Sequence, residues 1–361
     1  MAFLLLFLTC ATLLCEDKSL KLLHLTFHKG CVREVEGVAK ALGLELTTWY
    51  IHDLPPHFFD EQTQGNALYN IGHERAERIW EKHKQFFDQF DAIMTSDTVA
   101  LSRIFLQNHC AQPLIIWISN RFDYHDGASL DCIFPDGEFY ELLRKAAVSP
   151  AVTIVASCPY EHYYAKQRGV DTGNLVIKPC AAFIEDIQKP VIPSSINKSV
   201  SFFVPNYHNE ALLSKKCKAL QIPHYKGPFA GPQELGEFKG VIHLPYSWST
   251  IALYMNTQMG LPYFIPTPSF MKVLARRGNY WHQNGEMLFQ HSLFHLSEWY
   301  TKENQDFFVY FDSWKDLKKK IVKSDFPFLK KRVKAAAERH KEVMLSRWKE
   351  LFKKLQKKDP S

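Results

Sequence analysis

Three short polar loops follow apolar runs in the first third of the chain: His28-Lys29-Gly30, Ser96-Asp97-Thr98 and Asn120-Arg121-Phe122-Asp123. Histidine titrates near neutral pH and a carboxylate can accept a proton, so His28, Asp97 and Asp123 are candidate general bases. Lys29 and Arg121 are placed to hold a polar acceptor. Gly30, with no Cβ, would let the backbone come close to a ligand. Plainer readings stand beside these. Asp97 could cap a helix starting near Thr98, and Arg121 with Asp123 could be a surface ion pair, which stabilises little.

A second group lies between residues 225 and 270. Ser247-Trp248-Ser249-Thr250 opens a predicted helix, Trp248–Met259. The first N–H groups of a helix have no intrahelical partner and carry the positive end of its dipole. A phosphate can dock there, with the Ser249 and Thr250 hydroxyls as further donors. Lys226, and with it Arg103, Arg276 and Arg277, could pair with such a phosphate. The alternative is that Ser247 or Ser249 only caps the helix. Tyr160, Tyr163, Tyr164, Tyr246, Trp248, Tyr280 and Trp281 could supply stacking faces for sugar rings, although most aromatic side chains pack cores.

These loops need elements to carry them. From Ser19 onward, short apolar runs alternate with amphipathic stretches. Strands are predicted at 20–27, 44–51, 91–96, 113–119, 151–157 and 174–179. Helices are expected at Val32–Leu42, Leu68–Phe87, Thr98–Gln107, Gly137–Ala147 and Pro159–Arg168. This βαβ rhythm implies a parallel sheet. Residues 184–199 hold prolines without periodicity and read as a linker. A second block then has strands at 200–205, 222–227, 240–245 and 261–266, with a helix at Asn209–Leu220 between the first two. Long helices are expected after it. The division is therefore an N-terminal domain 19–183, a C-terminal domain 200–327 and a basic terminal helix 328–361, in which Val333, Ala337, Met344, Leu351 and Leu355 form an apolar stripe. Two doubly wound domains leave a cleft at the carboxyl ends of their strands, where ligands of such folds bind.

No G-x-G-x-x-G follows the first strand, and P-loop, zincin and nucleophile-elbow motifs are absent. This counts against dinucleotide dehydrogenases, P-loop NTPases, zinc proteases and α/β-hydrolases. No spacing suggests a metal site. The segment 225–270, with Gly231–Leu235 before a strand, Ser247–Thr250 at a helix start and Gly260-Leu261-Pro262 before strand Tyr263–Pro266, resembles the donor half of GT-B glycosyltransferases, especially retaining ones. The resemblance implies two facing Rossmann-like α/β domains and transfer of a hexose from a nucleotide sugar to a hydroxyl of a glycan, protein or lipid. It implies no cofactor beyond that co-substrate. Lys226, Gly227, Ser249, Thr250, Met255 and Asn256 would then line the donor side; Lys29, Gly30 and Arg121 the acceptor side. Retaining members often carry two glutamates eight positions apart, and here Ser247 and Met255 occupy those places. A thioether is a weak acceptor for ribose hydroxyls, so Asn256 is the alternative ribose partner. A catalytically inactive glycan-binding or scaffold protein is the rival reading, and a two-domain small-molecule binding protein a second.

The formal charge of +6 is local. Twelve Lys/Arg against three Glu fall between Phe328 and Lys358, which leaves the rest of the 361-residue chain slightly acidic. That distribution is unlike a nucleic-acid-reading surface. It suits a solvated helix face, with contact to an anionic membrane surface as the other reading. Residues 1–15 read as a signal peptide or short signal anchor, the alternative being a buried first element. The expected destination is the secretory pathway. The sequon Asn197-Lys198-Ser199 would be a glycan acceptor there. Eight cysteines without close pairs read mainly as buried free thiols.

Overall fold

A computed structural model describes residues 19–55, 57–60, 69–123, 137–182, 197–205, 208–229, 232–278, 280–283, 289 and 293–356. The leader and most of the expected linker therefore lie outside the described residues. The N-terminal sheet is formed by β1 (Lys21–Thr26), β2 (Glu45–Tyr50), β3 (Ala92–Asp97), β4 (Leu114–Ile118) and β5 (Val152–Ala156), all parallel, in the order β2-β1-β3-β4-β5. The central strands β1, β3 and β4 are buried almost throughout, as in a sheet covered on both faces, and β4 is apolar along its whole length; edge strand β2 is half-exposed. Helices α1 (Lys29–Leu42), α2 (His73–Phe87), α3 (Arg103–Gln107), α4 (Gly137–Val148) and α5 (Pro159–Gln167) connect them.

The C-terminal domain repeats this plan. Its strands β6 (Phe202–Phe203), β7 (His224–Tyr225), β8 (Val241–Ile242), β9 (Tyr263–Pro266) and β10 (Phe308–Phe311) are parallel and ordered β7-β6-β8-β9-β10. Its helices are α6 (Glu210–Ala219), α7 (Pro232–Gly236), α8 (Ile251–Gln258), α9 (Pro268–Arg276) and α10 (Trp314–Lys323). In each domain the second strand lies outside the first and the third on its other side. The switch in winding direction therefore falls between β1 and β3, and between β6 and β8.

Three sequence expectations change. Residues 174–179 do not form a sheet strand; Val176 makes one parallel bridge to Ala156. The chain there is already leaving the sheet, and Glu34 of α1 captures it by accepting the N–H groups of Cys180 and Ala181 at 2.6 and 2.8 Å. Strand β10 was not expected, because its residues Phe-Val-Tyr-Phe sit in a stretch read as helical. The predicted helix at Trp248 begins at Ile251.

The terminal helix α11 (Phe326–Gln356) joins the domains. Its first half puts Val333, Ala336 and Ala337 into the C-terminal core, and its second half puts Met344, Trp348, Leu351, Phe352 and Leu355 against the N-terminal one. The expected apolar stripe is this contact. Trp348 is 1% exposed and meets Trp117 edge to face at 5.9 Å. Removing such a buried ring costs about 3–5 kcal/mol. Trp348→Ala is expected to lower the urea midpoint accordingly and to release the second half of the helix, seen as faster hydrogen exchange there. Asn197 is exposed, with the Ser199 hydroxyl donating to its side-chain oxygen at 2.7 Å. Cys31, Cys158, Cys180 and Cys217 are buried free thiols, and Cys110 is a half-buried one.

Candidate functional site

Two cavities open into the interdomain cleft, one at each switch point. The N-terminal one, of about 160 Å³, is lined by His28, Asp97, Asn120 and Glu161, each at the carboxyl end of a strand, and by Trp248, Ser249 and Gln283 from the other domain. The C-terminal one, of about 330 Å³, is walled by Phe203, Phe229, His243, Tyr263 and Trp299, with Met255 and Asn256 of α8. Tyr246 and Thr250 line both. The start of α8 thus stands where the cavities meet.

Local geometry leaves that helix start open. Thr250 is the N-cap residue, but its side chain makes no capping bond. The Ser247 hydroxyl donates to the Ser249 carbonyl at 2.6 Å instead of capping the helix. Two polar atoms in the larger cavity's wall, Asn256 Oδ1 and His243 Nε2, have no hydrogen-bond partner within the protein. Asn256 is held in place by its Nδ2, which donates to Tyr263 Oη at 2.6 Å. Buried polar atoms without partners are rare; both residues line the cavity, while these two atoms are themselves sealed from solvent. Among the described residues, no group of three or more His, Cys, Asp or Glu could hold a metal ion.

On the N-terminal side Asp97 has φ 80, a strained conformation for a non-glycine residue. Such strain persists where the surroundings over-determine it and collects at working sites. Burial raises the Asp97 carboxyl, opposed by nearby His28. The next helical turn starts only at Ala100, so Asp97 is not its cap. Glu161, in the first turn of α5, is 5% exposed, and its Oε2 is sealed from solvent without a partner. Burial pushes this carboxyl up to about 7, with Arg121 opposing and Asp123 reinforcing. Arg121, 2% exposed, lies behind it. With the Gln283 amide turned so that its oxygen faces Arg121, both guanidinium Nη atoms donate to it at 2.6 and 2.8 Å.

Of the residues singled out by sequence, His28, Asp97 and Ser249 line the smaller cavity; Gly227, Met255 and Asn256 line the larger, and Thr250 both. The others do different work. Asp123 is sealed and already accepts from Tyr140 Oη at 2.6 Å, Tyr164 Oη at 3.0 Å and Arg168 Nε at 3.1 Å, so it is a structural ion and not a base. Its ion-pair partner is Arg168, not Arg121. Arg121 lines neither cavity and acts from behind Gln283. Gly30 faces no open space: a Cβ there would lie 2.7 Å from His28 Cε1 and 3.3 Å from Ile251 Cδ1. It permits the domains to touch. Lys29 is exposed outside the cavities, and Lys226 is paired with Glu210 at 2.5 Å. Glu161, His243, Phe229, Trp299 and Gln283 were missed. The rule that found His28 and Asp97, a polar residue just past a strand, marks neither Glu161, which lies inside the first turn of α5, nor His243, which falls within the expected strand 240–245.

Buried titratable groups set an unusual pH profile. Burial holds His24 and His243 down to about 3 and His340 to about 4. The unfolded chain takes up protons there as pH falls below 6.5 and the folded one does not, so stability falls toward acid. Glu161, and Glu298 likewise raised by burial, keep protons that the unfolded chain loses above 4.5. They cost stability as pH rises, about 3 kcal/mol for Glu161 by pH 7. Burial also lowers His83 and His162 and raises Glu34, Glu36 and Asp97, so histidines and carboxyls oppose each other between about 4.5 and 6.5, and above that only the losses from the carboxyls remain. The denaturant midpoint is expected to fall as pH rises from about 6.5 toward about 8, and Glu161→Gln to lessen that fall.

Each domain is wound as a Rossmann-like sheet, the carboxyl ends of both face one cleft, and the last helix crosses back onto the first domain. These are two facing Rossmann-like α/β domains, the GT-B architecture. No protein-family model and no curated protein sequence matches it. Solved structures similar to this chain include the pneumococcal O-GlcNAc transferase GtfA in complex with UDP and GlcNAc, at 8% identity over 77% of this chain and 60% of that one, TM-score 0.46. The glycosyltransferase SnogD from Streptomyces nogalater matches at 10% identity over 94% and 100%, TM-score 0.45. S. aureus MnaA bound to UDP matches at 9% over 89% and 94%, TM-score 0.44. The chain spans only about 60% of the length of GtfA. At such identities the likeness concerns the path of the backbone, and the chemistry has to be read from this chain's own residues.

Proposed function

We propose that the chain is a glycosyltransferase taking its sugar from a nucleoside-diphosphate donor. The observation that carries this reading is the pair of cavities meeting at Thr250: a large aromatic one and a small polar one, joined at an open helix start. A nucleoside fits the first, its base against aromatic rings and its ribose near Asn256. The diphosphate then reaches the first N–H groups of α8, and the sugar projects into the polar cavity. There an acceptor hydroxyl attacks the anomeric carbon, the nucleoside diphosphate leaves, and Glu161, Asp97 or His28 takes the proton. GtfA, a structure of similar backbone path, is known in complex with UDP and GlcNAc. We assign the hydroxyl to a glycan, protein or lipid met in the secretory pathway, on the strength of the apolar leader and the exposed sequon.

A second reading, a non-catalytic sugar binder, is favoured by Met255, which lines the donor cavity where retaining members often carry a glutamate. The two separate on one assay. The protein is incubated with a panel of nucleotide sugars and hydroxylated acceptors, and released nucleoside diphosphate is measured. Acceptor-dependent release is expected. Binding of a nucleotide sugar without release would replace transfer by the second reading.

A further inference from the structure

The cleft uses none of the chain's strongest surface feature. Between Lys315 and Lys334 nine Lys/Arg stand against two Asp. On α10 the exposed positions Lys315, Lys319, Val322 and Lys323 recur at helical spacing and share one face. Phe328, Lys331 and Lys334 do the same at the start of α11. The two acids are engaged: Asp316 pairs with Lys320 at 2.8 Å, and Asp325 accepts the N–H of Phe328 at 3.1 Å. Lys315, Lys319, Lys323, Lys331 and Lys334 have no acidic partner within 4.0 Å among the described residues. Helix α6 widens the patch. Lys216 lies over the Trp314 ring and Lys318 donates to the Leu220 carbonyl, which brings the exposed Lys215 and Lys218 alongside.

Two apolar side chains stand out of this basic field at the corner between the helices. Val322 is 74% exposed and Phe328 62%. A surface for nucleic acid needs the cations and not these two. A surface for a bilayer uses both, since lysines meet anionic headgroups while apolar tips enter the boundary below them. Because α10 runs back from the carboxyl end of β10, the corner lies on the pole of the domain away from the cleft. Docking there would leave the cleft open to solution.

We propose that the α10–α11 corner docks the protein on anionic membrane surfaces. This does not depend on what the cleft binds. Vesicles of phosphatidylcholine, with and without phosphatidylserine, would be floated with the protein, and the bound fraction measured at low and high salt. Binding is expected only with phosphatidylserine and should weaken as salt rises. Each cation near such a surface contributes about fivefold, so Lys319→Gln/Lys323→Gln/Lys331→Gln should weaken partitioning about a hundredfold. Val322→Ser/Phe328→Ser should remove the part that survives high salt. Both variants change exposed side chains and should unfold like the parent. Lys349→Gln/Lys353→Gln/Lys354→Gln, at the other end of α11, is the control and should bind like the parent. Equal binding to neutral vesicles, a greater loss in the control, or displacement of bound protein by an RNA oligomer would each overturn the proposal.

Discussion

The double variant Ser249→Ala/Thr250→Ala is expected to bind a nucleoside diphosphate about a hundredfold more weakly than the parent while unfolding at nearly the same temperature. Hydrogen bonds to a charged group contribute about 1.5–3 kcal/mol each, and two hydroxyls are removed. Stability should hold because neither hydroxyl caps α8. The Ser249 hydroxyl hydrogen-bonds the buried Cys158 thiol, and the Ser247 bond goes to a backbone carbonyl that survives the change. Calorimetric titration and thermal unfolding read the two quantities separately. A variant that loses stability but keeps its affinity would make these hydroxyls structural and move the phosphate elsewhere.

Gly37→Ala should give no stably folded protein. A Cβ at this position would lie 1.9 Å from the Ala181 carbonyl oxygen and 2.7 Å from its carbon. Both atoms are backbone, so α1 and the segment leaving the first domain would have to part. Parting them strips the Cys180 and Ala181 N–H groups from Glu34, a fully buried carboxylate. A buried carboxyl group left without its donors costs about 1–3 kcal/mol, and the packing of α1 against the crossover is lost besides. Gly43→Ala is the control. Gly43 has φ 69 with nothing within 4 Å, so only the left-handed conformation is penalised, by about 1 kcal/mol. Soluble yield and far-ultraviolet unfolding curves distinguish the two; a Gly37→Ala protein that melts like the parent would show that the crossover is not held as described.

The architecture was legible because parallel strands buried on both faces leave long apolar runs and their helices leave amphipathic ones. Nine of the ten strands were marked this way. Strand β10 escaped because Phe308–Phe311 has no polar break from the stretch before it, and 174–179 misled because its apolar residues pack under Glu34 and α11 instead of pairing in the sheet. The C-terminal side of the cleft was partly readable: Gly227, Ser249, Thr250, Met255 and Asn256 all reach a cavity wall. The N-terminal side was less so. A loop's position after a strand does not say which of its side chains turns inward. Asp123 was drawn into the core by Tyr140, Tyr164 and Arg168, which lie 17 to 45 positions further on, while Glu161 was turned to the cleft. Trp299 and Gln283 come from distant loops and carry no local signature.

The central claim is that the aromatic cavity beside α8 holds a nucleoside diphosphate. The direct measurement is calorimetric titration of the leader-free protein with UDP, GDP and ADP, paired with thermal unfolding. One nucleotide should bind and, at about a hundredfold excess over its Kd, stabilise the protein by roughly 2.7 kcal/mol, with the Ser249→Ala/Thr250→Ala protein losing both signals. Absence of heat and of any unfolding shift with all three nucleotides would contradict the account.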